Sequence, residues 1–284
     1  MIPNAVLRLK ARQALKPMLP VILLCALIAN LPSLATQTVS VLTDSNPLTY
    51  LLSQVSTDAE LMAILGDDAR LAAMLQEYAT APSRLVSLGL SVLSWLLSPV
   101  LTLGLTWCLL ELLRGHEIGV GTVFARLNCF GRSIGLNLLI AVKLVLWSLP
   151  GAAVMFAGML LLLLTSSSLS MMLYFAGLIL MIVLMIRAML HYAMATVFLA
   201  DEPEWGVRGS LRASIGMMRT RKMALFSLML SFILWMMVLS MLTSLLSAML
   251  GTVIASTISM LLQLMLSVYM QTSICAFYEA YRAR

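Results

Sequence analysis

Six long apolar runs alternate with polar connections along the chain, at about 17–35, 85–113, 134–164, 171–199, 224–249 and 252–278. A helix needs roughly 20 consecutive apolar residues to cross a hydrocarbon core, and each run is close to that length or longer. The pattern predicts an all-α fold: a polytopic bundle of six transmembrane helices forming a single membrane domain over 1–284. The second run exceeds the minimum and calls for tilt or a bend near Pro99. Pro150 and Gly151 interrupt the third, predicting a bend where backbone bonding is lost. The stretch 165–170 is short and uncharged, so the third and fourth runs form a tight hairpin.

The connections have patterns of their own. Basic 4–16, with Ala5, Leu7, Leu9 and Leu15 turned partly to lipid, predicts an interfacial helix. The first run follows with no convincing small-residue cleavage site, which favours a retained helix over a signal peptide. The long connection 37–83 carries six acids against Arg70. Thr57 and Glu60 can form a capping box there, and Leu61, Ile64, Leu65, Leu71, Met74 and Leu75 recur at helical spacing, predicting amphipathic helices on the outer surface. In 118–132, Val120, Val123, Phe124 and Leu127 share a face, so this piece should lie against the inner interface. Asp201, Glu202 and Pro203 sit where a helix over 203–220 would begin. Val207, Leu211, Ile215 and Met218 fall on one of its sides, and Arg208, Arg212 and Arg219 within about 40° of one another on the adjacent flank. These arginines are candidate headgroup contacts.

Charge sets the orientation. With the N-terminus inside, fourteen of the eighteen lysines and arginines fall on the cytoplasmic side, at the start, in 114–132, in 208–222 and at the end. Arg70 and Arg84 fall outside, and Lys143 and Arg187 within runs. That bias predicts N-in and C-in topology. Composition agrees: 61% of residues are hydrophobic and 11% charged, too few charges for a water-soluble surface. The net charge of +6 lies beside membrane segments, where anionic lipid headgroups are the expected partner and nucleic acid is not. Cys25, Cys108, Cys129 and Cys275 lack metal-ligand spacing and read as small buried hydrophobes.

Candidate chemistry is sparse. Glu111, Lys143, Arg187 and His191 are the ionisable groups at membrane depth, each costing roughly 2.5–3.5 kcal/mol on insertion scales unless partnered. A Glu111–Lys143 pair between neighbouring helices fits the spacing, and Arg187 with His191 is one turn apart on one face. Two readings follow: a polar intramembrane site for an anion or headgroup, or anchors that reach the interface. Met181, Met185 and Met189 form a stripe that would suit Cu(I) but reads better as packing. Ser240, Ser244 and Ala248, and Thr243, Ser247, Gly251 and Ala255, repeat every four residues as packing seams, and Gly131 with Gly135 is an isolated small-residue pair. No catalytic, metal or cofactor set is legible, so no enzyme is expected.

Several stretches resemble one family in order. They are LRLKARQALKP at the start, LTLGLTWCLLELLRGHEIGVGTVFARLNCFGRSIGLNLL followed by LVLWSLPG, then HYAMATVFLADEPEWGVRGSLRASIGMMRTRKMALFSLMLSFILW, and YMQTSICAFYEAYR at the close. They are similar to the bacterial integral-membrane family known as domain of unknown function 975. About forty residues separate LWSLPG from HYAMATVFLAD, where shorter members run almost directly from one to the other. The resemblance implies a bacterial plasma membrane location and brings no substrate or catalytic residue. The expectation is a non-enzymatic membrane protein acting through contacts with lipid, a second copy or another membrane protein. The alternative is a small transporter or permease-like component with a polar path through Glu111, Lys143, Arg187 and His191.

Overall fold

Every described element is helical, as the apolar runs require. The structure, a computed structural model, describes residues 4–42, 72, 82–165, 168–250 and 252–282. The capping box at Thr57 and Glu60 and most of the connection 37–83 lie outside them, as does Gly251; the side chains of Ser247, Ala248 and Ala255 are likewise not described. In chain order the long helices are α1 (Asn4–Leu42), α2 (Pro82–Leu113), α3 (Phe130–Thr165), α4 (Ser168–Tyr192), α5 (Ala195–Asp201), α6 (Gly206–Met218), α7 (Lys222–Leu250) and α8 (Thr252–Arg282). Six helical stretches are long and apolar enough to cross a membrane.

Two prolines locate the first break. Pro17 and Pro20 each lack an N–H for the helix ladder, and between them Met18 leaves helical geometry (φ −119°, ψ 21°). The arm before this kink does not turn Leu7 and Leu15 to lipid. Together with Ala11 they are buried in the bundle, while Leu9 is exposed. The next stripe on the arm is cationic: Arg8, Arg12 and Lys16, four residues apart, fall near one side. Helices α2 and α3 continue through Pro99 and Pro150.

The connection after α2 does not lie flat at its end. A 3₁₀ segment, Val120–Cys129, retraces α2. Its Val123 carbonyl lies where a side chain on Gly104 would stand, 1.9 Å from an added Cβ. The hydroxyl of Ser133 then donates to the Pro99 carbonyl at 2.7 Å. The chain therefore backtracks some 14 residues of α2, about 21 Å at 1.5 Å per residue. Packing explains this: Ile118, Val123 and Cys129 become buried, and the Arg126 guanidinium sits 3.8 Å over the Trp107 ring, a favourable cation–π geometry. Phe124 and Leu127, expected on the same face as Val123, stay exposed.

Helices α3 and α4 pack chiefly on each other. Added Cβ atoms at Gly151, Gly158 and Gly177 would come within 2.3–2.4 Å of backbone atoms of Met181, Tyr174 and Met155. Apolar helices gain nothing from hiding in one another when lipid is the solvent, so close backbone approach supplies the attraction. Between residues 145 and 187, no described side chain joins the main core. The hairpin meets the rest of the bundle at its base, through Leu136 and Leu144 on α3 and Ala188, Leu190 and Tyr192 on α4. Gly131, by contrast, faces open space, and Gly135 makes ordinary contact with Val207.

The hairpin seam makes a sharp prediction. Gly158→Val or Gly177→Val forces the helices apart and destabilises the protein by about 1–3 kcal/mol, the usual cost of overpacking, read as a lower unfolding midpoint in detergent. Gly131→Ala, with nothing to strike, leaves the midpoint unchanged or slightly higher.

Candidate functional site

Three helices end at one place, and each brings an acid to the wrong end. Carboxylates are unfavourable near a helix C-terminus, where the macrodipole is negative. Yet Glu111 lies near the end of α2, Asp201 is the last residue of α5, and Glu279 lies in the last turn of α8. Arginines resolve the conflict. Arg114 places Nη2 2.8 Å from Asp201 Oδ1 and 2.7 Å from Glu279 Oε1, with Glu111 Oε1 3.8 Å from Nη1. Arg282 pairs with Asp201 and with Glu202. The Tyr278 hydroxyl donates to Asp201 Oδ2 at 2.8 Å, and His116 Nδ1 lies 2.5 Å from Glu111 Oε2.

Asp201 is the hub. Its side chain is 4% exposed, against 25% for Arg114 and 39% for Arg282. It reaches this position because the fourth apolar run breaks early. Helix α4 stops at Tyr192, and the Ser214 hydroxyl donates to the His191 carbonyl at 2.8 Å beside that break. The redirected α5 buries Ala195, Val197, Phe198, Leu199 and Ala200. Phe198 meets the Tyr278 ring edge-on (centroids 4.9 Å, 89°), which fixes the phenol against Asp201. Asp201 therefore closes α5 and does not open the next helix. A 3₁₀ turn (Pro203–Trp205) and Gly206, at φ +64°, intervene before α6. The Arg132 guanidinium donates to the Pro203 carbonyl at 3.0 Å and secures that turn to α3.

Four carboxylates and two guanidinium groups, with every carboxylate engaged, form an electrostatic clamp. Glu111 is spent within it, on Arg114 and His116, and does not pair with Lys143. Lys143 is half-buried on α3 and forms no ion pair among the described residues. Arg187 and His191 stay together on α4: the carbonyl of Arg187 is 2.9 Å from His191 Nδ1, so that nitrogen carries the proton. The imidazole also stacks near Trp147 (6.4 Å, 25°). Met181 packs across Gly151, while Met185 and Met189 are exposed. All four cysteines are buried and free.

On α6, Leu211, Ser214 and Met218 are buried. Arg208, Arg212 and the capping Arg219 are exposed and form no ion pair among the described residues. Ile215, expected on the docked side, is 37% exposed. Sequence reasoning missed Arg114, Asp201, Glu202, Tyr278, Glu279 and Arg282 as a group. The available signal was an acid at each of three helix C-termini, in LLELLRG, FLADEP and FYEAYR, with an arginine close by in two of them.

An all-helical chain with six spanning-length apolar helices, tied together by a polar cluster at one end, defines a multi-pass integral membrane protein. It belongs to the family described as Protein of unknown function (DUF975), which matches residues 1–284. No curated protein and no solved structure matches the chain. The stretches LLELLRG, LADEP and FYEAYR are those that meet in the clamp.

Asp201→Asn keeps the shape and removes the buried charge that holds both arginines. The expected loss is about 3 kcal/mol, the low end for breaking a buried pair, because Arg114 retains Glu279. Arg282→Gln, at the exposed rim, costs less than about 1 kcal/mol. Denaturant titration of the purified protein measures both, and equal effects would contradict the hub assignment.

Proposed function

We propose that this protein works without catalysing a reaction, through lipid and protein contacts in the bacterial inner membrane, with both termini in the cytoplasm. The observation that carries this reading is the cationic stripe on α6. Arg208, Arg212 and Arg219 point away from the packed side of their helix and carry no counter-ion among the described residues. Free guanidinium groups beside an apolar bundle suit phosphate headgroups, each basic residue near an anionic surface contributing about 1 kcal/mol. The excess of basic residues on alternate connections supports the orientation.

The alternative, a small transporter, needs its polar groups to converge. Glu111 is held in the clamp, Lys143 stands on α3, and Arg187 is exposed on α4 beside His191. Such dispersal supports anchoring over a conducting path.

Two measurements test the reading. In a cysteine-free background, Leu61→Cys reacts with an impermeant maleimide on intact cells, whereas Arg212→Cys reacts only after the membrane is opened; the reverse order refutes the orientation. In nanodiscs of mixed phosphatidylglycerol and phosphatidylcholine, neutralising Arg208, Arg212 and Arg219 to Gln lowers the protein's preference for the anionic lipid. Solute or proton flux in proteoliposomes that Lys143→Gln or Arg187→Gln abolishes would instead establish the transporter.

A further inference from the structure

The N-terminal arm does more than lie against the bundle. Arg8 Nη1 donates to Ser231 Oγ on α7 at 3.0 Å, and the Tyr269 hydroxyl of α8 donates to the Arg8 carbonyl at 3.4 Å. These bonds tie the arm across both helices. Arg12 and Lys16, one and two turns further on, then stand at the edge of a crevice between α1, α7 and α8 of about 740 Å³. Every other side chain of its wall is hydrophobic or aromatic, among them Leu19, Trp235, Leu262 and Met265. Both cations sit on the arm, so charge marks one mouth.

Length and lining point to the occupant. Below the cations its apolar wall runs to Leu23 on α1, from Trp235 to Leu242 on α7 and from Leu262 to Tyr269 on α8, about 10 Å on each helix at 1.5 Å per residue. This is about two-thirds of the ~15 Å hydrocarbon depth of one leaflet. An extended alkyl chain matches that apolar length, and the two cations at the mouth match an anionic headgroup. Beyond Leu239 and Leu266, which both spaces share, a second cavity of about 560 Å³ has a mixed wall, where Asn30, Ser33 and Gln263 stand among leucines and methionines.

We propose that this crevice binds one acyl chain of an anionic phospholipid, with the lipid phosphate held between Arg12 and Lys16. The site deepens the lipid-contact reading and rests on it, but it is distinct from the α6 stripe: it selects a single molecule by chain and charge together. The arm acts as a clasp, since Arg8 fixes it to α7 while the next two cations meet the headgroup.

Photo-crosslinking tests this with the full chain in nanodiscs, using phosphatidylglycerol or phosphatidylcholine that carries a diazirine in the acyl chain. The anionic probe should label crevice residues such as Trp235, Leu239 and Leu262. Arg12→Gln with Lys16→Gln should weaken that labelling about 30-fold, as expected for two cations near an anionic group. Both residues are exposed, so the unfolding midpoint should not move, which separates lost binding from lost folding. Leu239→Trp should fill the crevice and abolish its labelling. Equal labelling by the two probes, indifference to the double substitution, or labels confined to α3 and α4 would overturn the site. If crevice labelling fails while the bundle still prefers phosphatidylglycerol through Arg208, Arg212 and Arg219, the crevice alone is refuted. If that preference is absent too, the wider lipid-contact reading falls with it.

Discussion

The ends of α2, α5 and α8 converge with their negative dipole ends together, and the sequence adds Glu111, Asp201, Glu202 and Glu279 to that negative field. Without compensation, such an arrangement would drive the helices apart. Arg114 and Arg282 reverse the sign of the problem: Arg114 bridges acids from all three helices, and Arg282, on α8, holds Asp201 and Glu202 at the end of α5. Burial makes the attraction strong and its loss costly. The remainder of the bundle is arranged around this requirement. Helix α5 leaves the axis of α4 to deliver Asp201, Phe198 and Tyr278 pack edge-on to fix the hydroxyl donor, and the turn at Pro203–Trp205 is held to α3 by Arg132.

Away from the clamp, geometry is set by the absence of side chains. Gly104 admits the Val123 carbonyl, and Gly151, Gly158 and Gly177 admit backbone atoms of the facing helix. In lipid, where apolar burial offers little net drive, such close contacts are the main source of specificity. The clamp and the glycine seams thus divide the work. Polar interactions align the ends that meet water, and shape aligns the parts that do not.

Much of the fold was legible in the chain because hydrocarbon length is a demanding filter. Six runs predicted six spanning-length helices, and Pro17 with Pro20 falls where α1 kinks. The departures share a cause: contacts between distant residues decided what local pattern could not. Residues 118–132 carried an amphipathic face suited to an interface, yet Gly104, earlier in the chain, offered a better seat. Asp201 and Glu202 read as the start of a helix because acids followed by proline favour that position; their arginine partners, Arg114 and Arg282, lie some 80 residues away on either side. Glu111 and Lys143 matched in depth and sign, but a nearer guanidinium in the next turn claimed the carboxylate. The arm's stripe Arg8, Arg12, Lys16 was visible as basic; that Arg8 would be tied to Ser231 was not.

The hairpin of α3 and α4 has a different kind of consequence. Its outer two-thirds answers only to itself, through matched glycines and lipid-facing side chains, while all its dealings with the bundle occur near Leu136 and Tyr192. Such a unit is free to change length in step on both strands, gaining or losing whole turns, with no effect on the charge balance at its root. The length of this protrusion is therefore a variable that the keystone at its root does not constrain.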